Sequence, residues 1–448
     1  MKKWGYILIT IVLLVGLFFI LKPRFADMAY DKAIELADSA EFKAAIDKFD
    51  QAIWLNKKVP EYFIGKGLAY DSLEQYDQAI SSYTQALKLS PEDPNPYYFR
   101  GLTHMTLENE GKATEDFDKA IEYRPDFKLA YYNRGQIRMS QEDYESAISD
   151  FTSVVEIDST FSEAYFKRGA AYREIGEKKK AVDDYSKALN LGMSNLDVYQ
   201  QRVRALSALK DYQGAIKDYG KLIELTGGSE ELYYQRGYLN FLLENYQKAI
   251  PDFTETLSFN SDNRDALYYR AHSYSKTEEY NKAVKDFQRV TQLEPSNAKV
   301  WLNLGLAQMH LGNFNDAKKD LAKAAELKDD YAKAHFLLGM TYANLKDQQE
   351  AIANYTTAIE MNEDYAQAYY YRGVSKGIQN NHEQALEDYD KAIEIDSTFA
   401  MAYYNRGVSK VALNQFAQGC QDFYTALDYG FQPAQKMIKT YCGNHPRK

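Results

Sequence analysis

Two cysteines in 448 residues cannot build a disulfide framework or a four-cysteine zinc site. Base is in the minority as well, with 54 Lys and Arg against 64 Asp and Glu, a net charge of -10 and an isoelectric point near 5.3. That balance excludes a general electrostatic attraction to nucleic acid or to anionic lipid surfaces. Histidine is sparse and scattered, at His104, His272, His310, His335, His382 and His445. No H-E-x-x-H, paired C-x-x-C or Walker phosphate loop occurs, and Gly65-Lys66-Gly67 falls inside a helical pattern. Cys442 and His445 are neighbours in sequence without the surroundings of a catalytic dyad. Neither catalysis, a cofactor, a metal nor a small-molecule substrate is expected. What is present is an ordinary folded composition, 45% hydrophobic and 26% charged, with an abnormal 39 tyrosines against 3 tryptophans. Tyrosine is being used periodically.

One long apolar run exists. After a tail of residues 1–3, residues 4–21 hold no charge and are flanked by Lys2, Lys3, Lys22 and Arg24. At about 1.5 Å per residue such a run reaches roughly 27 Å, enough for a thin hydrocarbon core. A cleaved signal peptide is the alternative, but no A-x-A triplet follows. The run therefore predicts a transmembrane helix or uncleaved signal anchor, which would make this a single-pass protein of a bacterial inner membrane with its body on the extracytoplasmic side. Flanking charges barely decide orientation.

The rest of the chain keeps one period of 34 residues. Stepping from Gly67 meets Gly101, Gly135, Gly169, Val203, Gly237, Ala271, Gly305, Gly339, Gly373 and Gly407. Twelve positions later stands Ala45, Ala79, Ala113 and so on to Ala385 and Gly419. Four further on the residue is aromatic in eleven of twelve units, from Phe49 and Tyr83 to Tyr389 and Phe423, with Leu321 the exception. Each unit reads as two short amphipathic helices joined by a polar link such as Gln141-Glu142-Asp143. Small residues let paired backbones approach, and the aromatic fills the space beside them. No unit can bury its apolar face alone, so neighbours must stack.

This period, with its Gly, Ala and aromatic registers, resembles the tetratricopeptide repeat over about residues 26–433, in units starting near 26, 60, 94, 128, 162, 196, 230, 264, 298, 332, 366 and 400. Pro91, Pro125 and Pro295 match the family's proline near the unit end, and Gly419 to Cys442 is similar to a C-terminal cap, followed by a capping helix and tail over 434–448. The resemblance implies an all-α, right-handed solenoid with a concave groove lined by first helices, and protein or peptide binding in place of catalysis.

Comparing units exposes a charge pattern. Arg100, Arg134, Arg168, Arg202, Arg236, Arg270, Arg372 and Arg406 precede the small-residue register. Sixteen residues after each stands an acid, at Asp116, Asp150, Asp184, Asp218, Asp252, Asp286, Asp388 and Asp422. Units 26 and 332 lack both members, unit 60 has Lys66 with Ser82, and Asp320 faces Leu304. The co-occurrence predicts ion pairs joining the two helices of a unit, against an arginine stripe for a polyanion. Such pairs fix register more than they add stability.

Cys420 and Cys442 sit on helices expected to pack side by side, so the choice lies between a disulfide, which needs an oxidising compartment, and two buried thiols. In the family's geometry the groove would expose the second, fifth, sixth, ninth, twelfth and thirteenth positions. The fifth supplies Tyr98, Tyr132, Phe166, Tyr234, Tyr268, Phe336, Tyr370 and Tyr404, part of which must be inter-helix packing. Phe241, Met309 and Met340 add soft apolar lining, and Asn133, Lys167, Arg173, Asn303 and Asn405 add polarity. Unit 196–229, with Val203, Gly220 and the run Thr226-Gly227-Gly228-Ser229, is the weakest, and Pro251 interrupts the next. A change of curvature or a hinge is expected there. The function expected is a membrane-tethered, non-catalytic scaffold for protein partners, or alternatively an accessory or regulatory subunit of an envelope enzyme or of a secretion or assembly machine.

Overall fold

The computed structural model of the chain describes residues 2–328 and 331–443, without the side chains of residues 2–16, 18 and 19. The described residues form 25 α-helices and no strand. After α1 (Lys2–Asp38) and α2 (Phe42–Leu55), first helices begin at Pro60, Pro94, Lys128, Ser162, Leu196, Glu230, Arg264, Ala298, Ala332, Ala366 and Ala400. That is one start every 34 residues. Two compact halves separate between Asp218 and Tyr219. In the first, each helix from α1 to Leu196–Ala208 packs on the helices adjacent to it in sequence. In the second, the helices from Glu230–Leu242 to Ala434–Tyr441 do the same.

Helix pairing is set by a ring in a socket. Phe117, Phe151, Tyr185, Phe253, Tyr355, Tyr389 and Phe423 are almost wholly buried. Each lies against the small residue sixteen positions earlier. A Cβ built on Gly67 would stand 2.5 Å from the Tyr83 ring, and one on Gly135 2.8 Å from that of Phe151. A side chain there would force the pair apart, so the register holds glycine in most repeats, with Ala271 and Val203 the departures after Gly67. The link between the two helices turns on a left-handed residue at one fixed position. It is Ala40, Glu74, Glu108, Glu142, Lys210, Glu244, Glu278, Lys346, Asn380 or Asn414, and glycine only at Gly176 and Gly312. There the chain closes the helix end with two backbone bonds, as in Glu142 N–H to the Met139 carbonyl at 3.2 Å and Asp143 N–H to that of Arg138 at 2.9 Å.

The expectation of a transmembrane helix or anchor at 4–21, and with it a single-pass inner-membrane protein, is corrected. Among the described residues no helix is long and apolar enough to cross a membrane. The run does not end where a span would. It continues unbroken through Pro23 as part of the 37-residue α1, which becomes the first helix of the first repeat. From Lys22 onward α1 carries Arg24, Asp27, Asp31 and Lys32, a density of charge that hydrocarbon does not accept. Its residues Ala26, Ala29 and Ala33 are instead buried against the second and third helices.

The division between the halves falls inside Tyr212–Thr226, the second helix of the repeat that has Val203 for glycine. Helix Tyr246–Phe259 runs through Pro251 without a break. His445 lies outside the described residues.

Candidate functional site

The eight arginines and their aspartates meet as two-point contacts. Arg100 donates from Nε and Nη2 to Asp116 at 2.9 and 2.7 Å, Arg168 to Asp184 at 2.8 and 2.8 Å, and Arg406 to Asp422 at 2.9 and 2.7 Å. Arg134–Asp150, Arg202–Asp218, Arg236–Asp252, Arg270–Asp286 and Arg372–Asp388 repeat the arrangement. The carboxylates are buried, Asp150 to 1% exposure. At Arg100, Arg168 and Arg236 the aspartate hydrogen bond outweighs burial and holds the guanidinium above its usual range.

A third arm was not read from sequence. Nη1 of seven of the eight arginines reaches the second helix of the preceding repeat, at Thr84 from Arg100, Thr152 from Arg168, Ser186 from Arg202, Thr254 from Arg270 and Thr356 from Arg372. Asp118 and Asp390 take that place for Arg134 and Arg406. Lys66 reaches the equivalent Asp50 at 2.6 Å. The signal was available as a hydroxyl or carboxylate sixteen residues before every ladder arginine but Arg236. Gly220, sixteen before Arg236, offers none.

The fifth-position aromatics are spent largely on packing. Tyr98, Tyr132, Phe166, Tyr234, Tyr268, Phe336, Tyr370 and Tyr404 each lie 5.8–6.1 Å from their own repeat's core ring. Burial pushes the Tyr370 phenol up to about 12. Asn133, Asn303 and Asn405 donate to the phenol oxygens of Tyr98, Tyr268 and Tyr370 in the preceding repeat. Arg173 is taken by Glu174 and Gln201. Met309 and Met340 pack around Leu302 and Leu338.

Three expected groove residues converge on open space, in the second half. Phe241, Tyr268 and Asn303 join Tyr269, His272, Lys299, Leu302, Tyr331 and Lys333 around a cavity of about 480 Å³. A second of about 440 Å³ shares His272, Asn303 and Lys333 and extends to Lys276, Glu278, Tyr280 and His310. The floor is aromatic, with Phe241 and His272 rings edge to face at 5.3 Å. Lys299 Nζ sits 5.4 Å over the Tyr268 ring. Burial first, then the charges of Lys276 and Lys299, hold the His272 imidazole below its ordinary value, so it is neutral at pH 7. Its buried Nδ1 has no hydrogen-bond partner.

At the chain's far end Cys420 and Cys442 form a disulfide, Cα to Cα 5.6 Å. Both are buried with Phe423, Ala426 and Ala434.

Family models for the tetratricopeptide repeat match residues 67–107 and 272–312, 94–127, 129–161, 162–191, 196–227, 230–263, 298–331, 332–365 and 366–399. The chain belongs to the tetratricopeptide repeat (TPR) family. No curated protein matches it at a significant level. Among solved structures, one of MamA is 28% identical over 37% of this chain and 96% of its own, TM-score 0.35. The APC/C hetero-tetramer Cut9–Hcn1 is 14% identical over 93% and 96%, TM-score 0.39, and yeast Tom70 is 15% identical over 94% and 96%, TM-score 0.36. At such low scores these likenesses carry no functional weight. TPR proteins in general bind protein partners. Set in TPR repeats, the two cavities lie beside the first helices at 264, 298 and 332.

Proposed function

We propose that this TPR protein is a non-catalytic scaffold that holds a polypeptide segment of a partner protein in the cleft around His272, Asn303 and Lys333. One observation carries the reading. Two cavities meet at those three residues, over side chains from several successive repeats. A cleft that crosses repeats suits an extended chain better than a compact small molecule. Its aromatic floor offers flat amphipathic area, and Asn303 offers an amide beside it.

Photo-crosslinking tests this directly. A crosslinking amino acid in place of Asn303 is expected to capture discrete partner polypeptides, while the same group in place of Asp118 on the exposed face captures none of them. Equal capture at both sites, or at Asp118 alone, contradicts the proposal.

A further inference from the structure

We infer that the segment taken by this cleft is acidic, with glutamate or aspartate side chains on either side of an apolar or aromatic residue. The inference rests on the peptide-binding reading above and adds the chemistry of the ligand. Elsewhere each ladder arginine is matched by its own aspartate. Around the cleft the exposed Lys276, Lys299 and Lys333 have no carboxylate partner among the described residues, and Glu278 is the one acid among the described lining residues. Unpaired like charges at one cavity raise the local potential and repel one another, so they favour an anion that brings the missing carboxylates.

Repeat comparison gives an independent sign of the same thing. The second position of the units reads Asp27, Glu61, Asn95, Leu129, Glu163, Asp197, Glu231, Asp265, Lys299, Lys333, Gln367 and Met401. The charge reverses only at two of the repeats that border the cavities, while Asp265 keeps the acid in repeat 264. Both lysines are on first helices, one period apart, and both reach the same cavity. Between them the lining is Phe241, Tyr268, Tyr269 and Leu302, which fits a ring or aliphatic side chain and not another charge. His272, neutral at pH 7, leaves that central part uncharged. The contacts divide accordingly, with carboxylates on Lys299, Lys333 and Lys276 and the apolar side chain on the aromatic floor.

Three fluorescein-labelled synthetic peptides, titrated against the full chain by anisotropy, test the inference. The first alternates glutamate with tyrosine and leucine and has an amidated end. The second replaces every glutamate by glutamine. The third is the glutamine peptide with a free terminal carboxylate. The first alone is expected to bind, to weaken steeply with salt, and to lose about tenfold or more in affinity for Lys299→Gln/Lys333→Gln and further for the charge-reversed K299E/K333E. Equal binding of the glutamine peptide, binding only through the free chain end, or unchanged affinity in both variants overturns it. If the acidic peptide fails while a crosslinker at Asn303 still captures partners, the acidic chemistry is wrong and the cleft stands. If both fail, the peptide-binding reading falls as well.

Discussion

The Arg–Asp ladder and the cleft use the same charges to opposite ends. In repeat 128–161, Arg134 touches Asp150 and Asp118, and Arg138 adds a further bond to Asp150 at 2.7 Å. Each cation there is paired within the protein itself, and Arg134 ties three helices together. Around the cleft, Lys276, Lys299 and Lys333 meet no carboxylate among the described residues, and Lys299 lies over the Tyr268 ring. The difference teaches that cation count says little about a repeat protein's partners. What marks the cleft is that such cations gather around an apolar cavity.

The comparison breaks most visibly at Asp150. Asp150→Asn leaves Arg138 without its acid and Arg134 with only the exposed Asp118, and is expected to cost about 3 kcal/mol in urea denaturation. A loss near zero would show that the ladder is not structural. Next in size is the covalent closure of the last repeat. Reducing Cys420–Cys442 frees a loop of 22 residues and is expected to cost roughly 3 kcal/mol. The loss should appear in hydrogen exchange as faster exchange over 400–443, with the ladder of the first half unaffected.

Asp320 is the ladder's one acid without an arginine, because Leu304 stands in its place. Burial, then repulsion from Asp316, pushes its carboxyl up to about 6. A carboxyl raised above its unfolded value stabilises the fold while protonated and is lost as a contributor when pH rises through about 6. Asp320→Asn is therefore expected to stabilise by about 1 kcal/mol at pH 8 after solvent screening, and to do nothing at pH 4. A pH-independent effect would contradict the assignment. Smallest is Glu142→Gly. It relieves a left-handed residue at φ 61° and touches no ladder partner, so a gain of about 0.5 kcal/mol is expected in thermal melts.

Much of this architecture is readable from one sequence because repeats act as their own alignment. Gly135 and Phe151 recur together because the ring needs the socket's space, and Arg134 with Asp150 because each partly buried charge needs the other, with Asp320 the one acid left alone. The third arm of each arginine escaped because it joins neighbouring repeats, and Thr, Ser and Asp stand in for one another there. The turn at Glu142 escaped because position, not glycine, forces the left-handed backbone. Periodicity told which face Tyr98 and Tyr370 occupy but not how far neighbouring rings would cover them. The apolar run at 4–21 misled for a different reason. Hydropathy measures a window, whereas the helix that contains it continues into charged residues and packs its alanines against the first repeat. Lys299 and Lys333 were visible as a reversal of charge at one register, yet only the cavities give that reversal a place.

The most direct test of the central claim compares melting of two variants of the full chain. Lys276→Gln/Lys299→Gln/Lys333→Gln is expected to unfold within about 0.5 kcal/mol of the unaltered protein, since those charges hold nothing together. Arg134→Gln, by stripping buried Asp150 of a partner, is expected to lose about 3 kcal/mol or more. Comparable losses in both variants would contradict the division between cations that build the protein and cations that await a partner.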